Sequence, residues 1–231
     1  IPEEIKQIDT SNSFRIYNAC FPWLHADRET WTFDAWIKRA NWGLNANKIL
    51  MRNIHLDCKY YHPGSDWSDY PVEPVDWSLV DRLLEKKRGV VAVTCHHGPY
   101  PINLIQTLIK YGDRVAPGST VNDMKPRINS YYLATNPGKS IRKFKKTLRD
   151  NGIVFSAPDK SRTYNNIPFD LLAGKCGMSD LYCRLAYANK CPSVFMTSIW
   201  TPENRMRIII KELPTPEANE SENEFTQRWC Q

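Results

Sequence analysis

The chain reads as an α/β protein, with a mostly parallel central sheet, helices on both faces and a helical N-terminal segment. Three observations predict this. Short β-branched runs alternate with segments of helical period from about residue 77 to 213. The run Val90–Cys95 stops at His96-His97-Gly98 and a helix-like stretch follows, the strand-to-helix turn of open α/β sheets. A length of 231 residues, 42% hydrophobic and 24% charged, is enough to bury a core and suits one domain over 1–231.

Residues from about 14 to 61 are helical and aromatic in pattern. Phe33, Trp36, Ile37, Ala40 and Leu44 recur at helical spacing, and a second stretch over Ala46–Tyr60 groups Ile49, Leu50, Ile54 and Cys58. Residues 62–76 form a proline- and acid-rich loop, after which Asp76 is placed to cap a helix over Trp77–Lys87. The core then alternates. Strand Val90–Cys95 leads to a helix over Tyr100–Lys110, and a strand over Arg114–Pro117 to a helix over Asp123–Leu133. A basic helix, Ser140–Arg149, precedes strand Ile153–Ala157, and Pro158–Phe169 reads as a loop. Helix Ser179–Ala188, strand Ser193–Ile199 and a hairpin partner Met206–Glu212 complete the core. The stretch Pro214–Asn223 is polar, and Glu224–Cys230 starts a last helix. Such repeated β–α–β alternation requires crossovers and therefore parallel neighbours.

Composition narrows the classes. Seven cysteines are scattered without a CxxC pair, which argues against zinc or redox centres and for free thiols in a reducing cytoplasm. No apolar window reaches membrane-spanning length, and Ile1–Ile8 does not read as a secretory signal. A net charge of +6 suits an acidic partner without choosing one. Eight tryptophans exceed what a core of this size needs. Trp23, Trp31, Trp36 and Trp42 are read as core, one side of them walling an acyl pocket.

The chemistry concentrates at Val90–Pro101. A histidine at the C-terminal lip of a buried strand can take a proton from a hydroxyl or amine near neutral pH. His96 is the favoured base, with His97 beside it. Gly98 permits close backbone approach, and the next helix turns its positive end toward the same place. Cys95 lies one residue earlier and so projects to the opposite face, which argues against a cysteine nucleophile. His25, His55 and His62 sit in ordinary surroundings and are read as structural.

The order of these segments resembles the bacterial lipid A biosynthesis acyltransferases of the lysophospholipid acyltransferase superfamily. Cys95-His96-His97-Gly98-Pro99-Tyr100-Pro101 occupies the place of that family's histidine–x–glycine–asparagine–tryptophan–glutamate signature. His96 then matches the catalytic histidine, Gly98 the glycine and Tyr100 the aromatic. Gly152–Phe155 with Pro158-Asp159-Lys160, Ile167-Pro168-Phe169, Gly177-Met178-Ser179 and Leu185–Pro192 are similar to later family segments, and Asn18–Pro22 to an early one. The resemblance implies acyl transfer from an acyl-carrier protein or coenzyme A thioester, with no bound cofactor. One departure is central: where the family has an acidic partner for the histidine, this chain has Pro101. Asp159, Asp123 and His97 are the candidate replacements, and a more nucleophilic acceptor, such as an amine, is the alternative to a replaced partner.

Two further groups complete the candidate set. Lys139, Arg142, Lys143, Lys145, Lys146 and Arg149 lie between 139 and 149 without an acid, while Ile141, Phe144 and Leu148 form the buried stripe. This is either a solvated face or a docking surface for an acidic carrier, coenzyme A phosphates or RNA. Lys160 and Arg162 follow Asp159 on a polar loop and, with Arg127, suit an anionic group. The leading reading is acyl transfer to a soluble amine or hydroxyl of specialised metabolism. Its rivals are aminoacyl transfer from charged tRNA, an inactive acyl-binding module, and a lipid acyltransferase held peripherally at the inner membrane.

Overall fold

The computed structural model describes residues 32–60, 70–119, 131–132, 137–159, 166–171 and 174–230. The helices are α1 (Phe33–Tyr60), α2 (Ser78–Glu85), α3 (Pro101–Tyr111), α4 (Pro137–Arg149), α5 (Leu181–Asn189) and α6 (Glu222–Trp229). The strands are β1 (Val90–Val93), β2 (Val115–Ser119), β3 (Tyr131–Tyr132), β4 (Ile153–Ser156), β5 (Asn166–Leu171), β6 (Gly174–Ser179), β7 (Ser193–Trp200) and β8 (Met206–Leu213). Six of the strands form one sheet in the order β3-β2-β4-β1-β7-β8. Five run parallel and β8 returns antiparallel at the edge, the hairpin expected from sequence.

Strands β1 and β4 are buried at every position, as continuous apolar runs in the middle of a two-sided sheet should be. Alternate residues feed two cores. Val91, Val93 and Val154 pack with Phe144 and Leu148 of α4, Tyr182 and Leu185 of α5, and Phe225 and Trp229 of α6. Val90, Ala92, Ile153 and Phe155 pack with Leu83 and Leu84 of α2 and Tyr111 of α3. Helices therefore cover both faces, and each fully buried Phe or Leu contributes roughly 1.5–3 kcal/mol of burial energy.

Several boundaries differ from expectation for physical reasons. The two expected N-terminal helices are one, because the lone Gly43 meets no packing conflict and costs only about 1 kcal/mol in a helix. Within it Leu44 and Ile49 are exposed rather than buried, and Leu50 carries the contact with Ile102, Ile105 and Met206. Asp76 does accept from the Ser78 N–H at 2.9 Å, although the capping position itself is Trp77. Tyr131–Tyr132 are strand where a helix end was expected; the rest of that segment lies outside the described residues. Asn166–Phe169 belong not to a loop but to a β5–β6 hairpin, paired from Asn166↔Ser179 to Leu171↔Gly174. Helix α6 begins two residues early because Ser221 and Glu224 form a capping box.

Helix α1 stands at the end of the sheet where the parallel strands finish. Arg39 donates to the carbonyls of Trp200 and Thr201 at the close of β7, and the Trp200 indole donates to Asn47 at 2.8 Å. Trp42 meets Trp200 edge-on at 5.3 Å. Among the described residues no helix is long and apolar enough to cross a membrane.

Candidate active site at the ends of β1 and β4

The neighbouring strands β1 and β4 send their connections in opposite directions. From β1 the chain crosses to β2 through α3 on one face, and from β4 it reaches β7 through α5 on the other. A crevice between two such strand ends is the general ligand position in open α/β sheets. Register sets what meets there. Val93 pairs with Ser156, and the Thr94 N–H donates to the Ser156 carbonyl at 2.8 Å. Three residues beyond that pair, in the turns that follow β1 and β4, stand His96 and Asp159.

These two side chains are in contact. His96 Nδ1 lies 2.7 Å from Asp159 Oδ1, and the His96 backbone N–H donates to Oδ2, also at 2.7 Å. One carboxylate thus grips both the ring and the main chain of the same residue. Burial alone would raise the Asp159 carboxyl, but the hydrogen bonds and charge of His96 outweigh it and hold the group below the usual range. An ionised carboxylate has no proton to give, so Nδ1 carries the hydrogen and Nε2 is left as the acceptor. The tilted ring of Tyr100 packs against the imidazole at 4.5 Å between centroids. Burial, and then the charge of Asp159, raise the Tyr100 phenol, keeping it neutral.

The His96 side chain keeps 29% of its surface and Asp159 31%, so the ring is held but not sealed. A depression of about 700 Å³ lies elsewhere, lined by Glu217, Glu220, Glu224 and Arg228 beside α6. It has no part in this chemistry.

The turn beneath the ring is tightly built. Gly98 has φ +55°, and a Cβ there would stand 2.6 Å from the Ser198 carbonyl oxygen. Replacing Gly98 by alanine should cost about 1–3 kcal/mol through strain and the displaced β7 contact. A lowered thermal midpoint would report it, and an unchanged one would mean that the close approach is absent. Asn103, fully buried on α3, donates to Thr94 Oγ1 at 2.9 Å and to the Met196 carbonyl at 3.4 Å, tying helix, β1 and β7 together. Sequence reasoning did not single out Thr94 or Asn103. The available signal was an amide among apolar residues in the first turn of a buried helix.

The remaining candidates divide clearly. His97 is exposed and stands outside the pair. Cys95 is half-buried, and burial followed by the charge of Asp159 raises its thiol, the reverse of what a nucleophile needs. The Ser179 N–H donates to the Pro158 carbonyl at 3.0 Å, and its hydroxyl accepts from Leu181 at 3.4 Å, so it anchors the segment beside Asp159. Arg127, Lys160, Arg162 and Asp123 lie outside the described residues. The first-turn N–H groups of Ile102 and Asn103 already bond to the Pro99 and Tyr100 carbonyls, and Pro101 has none. The start of α3 therefore offers less to an oxyanion than its sequence suggests. Among the described residues no group of three His, Cys, Asp or Glu is arranged to hold a metal ion.

The basic helix α4 joins β3 to β4, two parallel strands, and so runs antiparallel to them. Its thirteen residues span about 20 Å. Lys139 and Arg142 fall on the half nearer His96, whereas Lys145, Lys146 and Arg149 fall toward the far end. The six cations are not one surface facing the site. Lys146 is also paired with Asp150, just past the acid-free run.

No family model matches the chain, and no curated protein matches it.

Proposed function

We propose that this chain is an acyltransferase in which His96 is the general base and Asp159 its positioning residue. The observation that carries the reading is the Nδ1–Asp159 contact, which leaves Nε2 as acceptor beyond the ends of β1 and β4. Asp159 supplies, from a neighbouring strand, the acidic partner that Pro101 cannot. In the reaction Nε2 takes the proton of an acceptor amine or hydroxyl as its heteroatom attacks the thioester carbonyl. The tetrahedral intermediate collapses, the C–S bond breaks, and the imidazolium returns its proton to the departing thiolate. Asp159 stabilises the transient imidazolium. Helix α1 packs at the same end of the sheet, with Trp42 against Trp200, and is the element placed to wall the acyl group.

The test is thiol release. Purified protein is incubated with acyl-carrier protein or coenzyme A thioesters and a panel of small amines and alcohols, and free thiol and product mass are followed. His96-dependent release with a transferred acyl mass supports the reading; no turnover with any pair defeats it. Donor docking has its own expected result. Charge reversal at Lys139 and Arg142 should raise the donor KM about tenfold or more, while reversal at Lys145 and Lys146, at the far end of α4, should change it little. Equal effects of the two pairs would exclude docking next to the site.

A further inference from the structure

We propose that the foot of the sheet, the end opposite His96, is a docking surface for the phosphate backbone of RNA. Four segments far apart in sequence converge there. The turn after α2 presents Lys86, Lys87 and Arg88 in succession, all exposed. It presses on the last turn of α4, for a Cβ on Gly89 would stand 2.7 Å from the Leu148 Cα. Asn151 knots the region together. It accepts from the Gly89 N–H at 3.1 Å, donates to the Leu84 carbonyl at 3.0 Å, and its own carbonyl accepts from Arg114 at 2.8 Å. Arg88 donates to the carbonyl of Lys190, the left-handed residue that closes α5. With the exposed Lys145, Lys146 and Arg149 at the foot of α4, these residues make one continuous basic surface.

The charge there is largely uncompensated. Arg88 and Arg114 bond to neutral carbonyls, which leaves their charge in place. Among the described residues Lys146 is the one cation of this cluster in an ion pair. Glu85, Asp113 and Asp150 are the carboxylates on the same segments, fewer than half as many as the cations. The acids that reach this end from β8 and the stretch before α6, Glu212, Glu220 and Glu222, are paired with Arg82, Arg228 and Arg184.

Shape and chemistry favour a polyphosphate chain. A protein partner wants an apolar or aromatic centre. Leu44, Ile49 and Ile199 are exposed elsewhere, on α1 and at the His96 end of β7; among the described residues Ile109 is the one exposed large apolar residue on a helix that reaches the foot. A flat anionic bilayer would touch one side of the molecule. These cations wrap around the sheet, since α4 covers one face while Lys86–Arg88 and Arg114 follow helices of the other. A flexible line of phosphates can follow both sides.

The test uses fluorescently labelled bulk transfer RNA, with anisotropy read between 50 and 200 mM salt. Log affinity should fall with log salt with a slope of about −3.5 to −5, as expected for about five to seven phosphate contacts at about 0.7 each. K86Q/K87Q/R88Q should reduce that slope by about 2 and weaken binding at least about tenfold at 100 mM salt. An unchanged slope and affinity, or no binding at 50 mM, overturns the proposal. So does displacement of the RNA, at equal charge, by phosphatidylglycerol vesicles or polyglutamate, which would indicate a membrane or an acidic protein instead. A second readout needs no variant: RNA should protect Lys86, Lys87 and Lys190 of the wild type from acetylation, and protection confined to Lys38 and Lys48 overturns the assignment. H96A should bind the RNA as wild type does, so loss of transfer activity and loss of this surface remain separable.

Discussion

Acyl transfer by an H96A protein should fall at least about a hundredfold, the loss that accompanies removal of a positioned general base. The size follows from the chemistry. An amine or alcohol attacking a thioester must shed a proton as the new bond forms, and without Nε2 that proton goes to water. The loss should appear in kcat with donor KM nearly unchanged, because the imidazole acts on the proton rather than on donor affinity. The fold should tolerate the change, since the side chain is partly exposed and no core cluster includes it. Single-turnover rates on protein with an unaltered thermal midpoint make the measurement. Near-wild-type turnover would remove His96 from the mechanism and leave only the fold.

The second large effect is expected for Asp159→Asn, about a hundredfold to ten-thousandfold in kcat, the range expected when a catalytic histidine loses its orienting carboxylate. The amide is the same size but can donate to Nδ1, which moves the ring proton to Nε2 and removes the acceptor. It also cannot stabilise the imidazolium by charge. A purely structural role would not move the pH profile, so that profile is the decisive readout. The acidic limb of kcat/KM should shift in D159N and stay in place in a control such as S179A, which removes the hydroxyl that accepts from Leu181. An unchanged pH profile and rate would exclude Asp159 as the positioning residue.

Stability gives an independent check on the same pair. Native contacts hold the Asp159 carboxyl below its usual range, so it stabilises the folded state above the unfolded value of about 4. That contribution is lost as pH falls through the lower folded value. The stability difference between wild type and D159N should therefore shrink as pH falls below about 4. A difference that keeps growing below about pH 4 would contradict the ionised pair.

Much of this was legible in local pattern. The apolar run ending in His96-His97-Gly98 specified a buried strand and a turn, and the β7–β8 hairpin followed from two alternating runs separated by polar residues. Where local signals conflicted, expectation and structure parted. Pro158–Phe169 read as a loop, yet Asn166–Phe169 are strand, and a two-stranded hairpin tolerates Pro168 because half of its edge positions need no donor. The spacing of Leu44 and Ile49 matched a helix without indicating which side another element would cover.

By itself, the sequence determined the fold class, the alternation of strands and helices, and a histidine at a strand end with proline where its acid was expected. Tertiary structure alone brought Asp159 beside that histidine. The contact depends on β4 inserting between β2 and β1 with Val93 opposite Ser156, a pairing across 63 residues that nothing local encodes. The same holds for the basic residues. Their number is written in the chain, but their division between the two ends of the sheet follows only from the direction in which α4 crosses it.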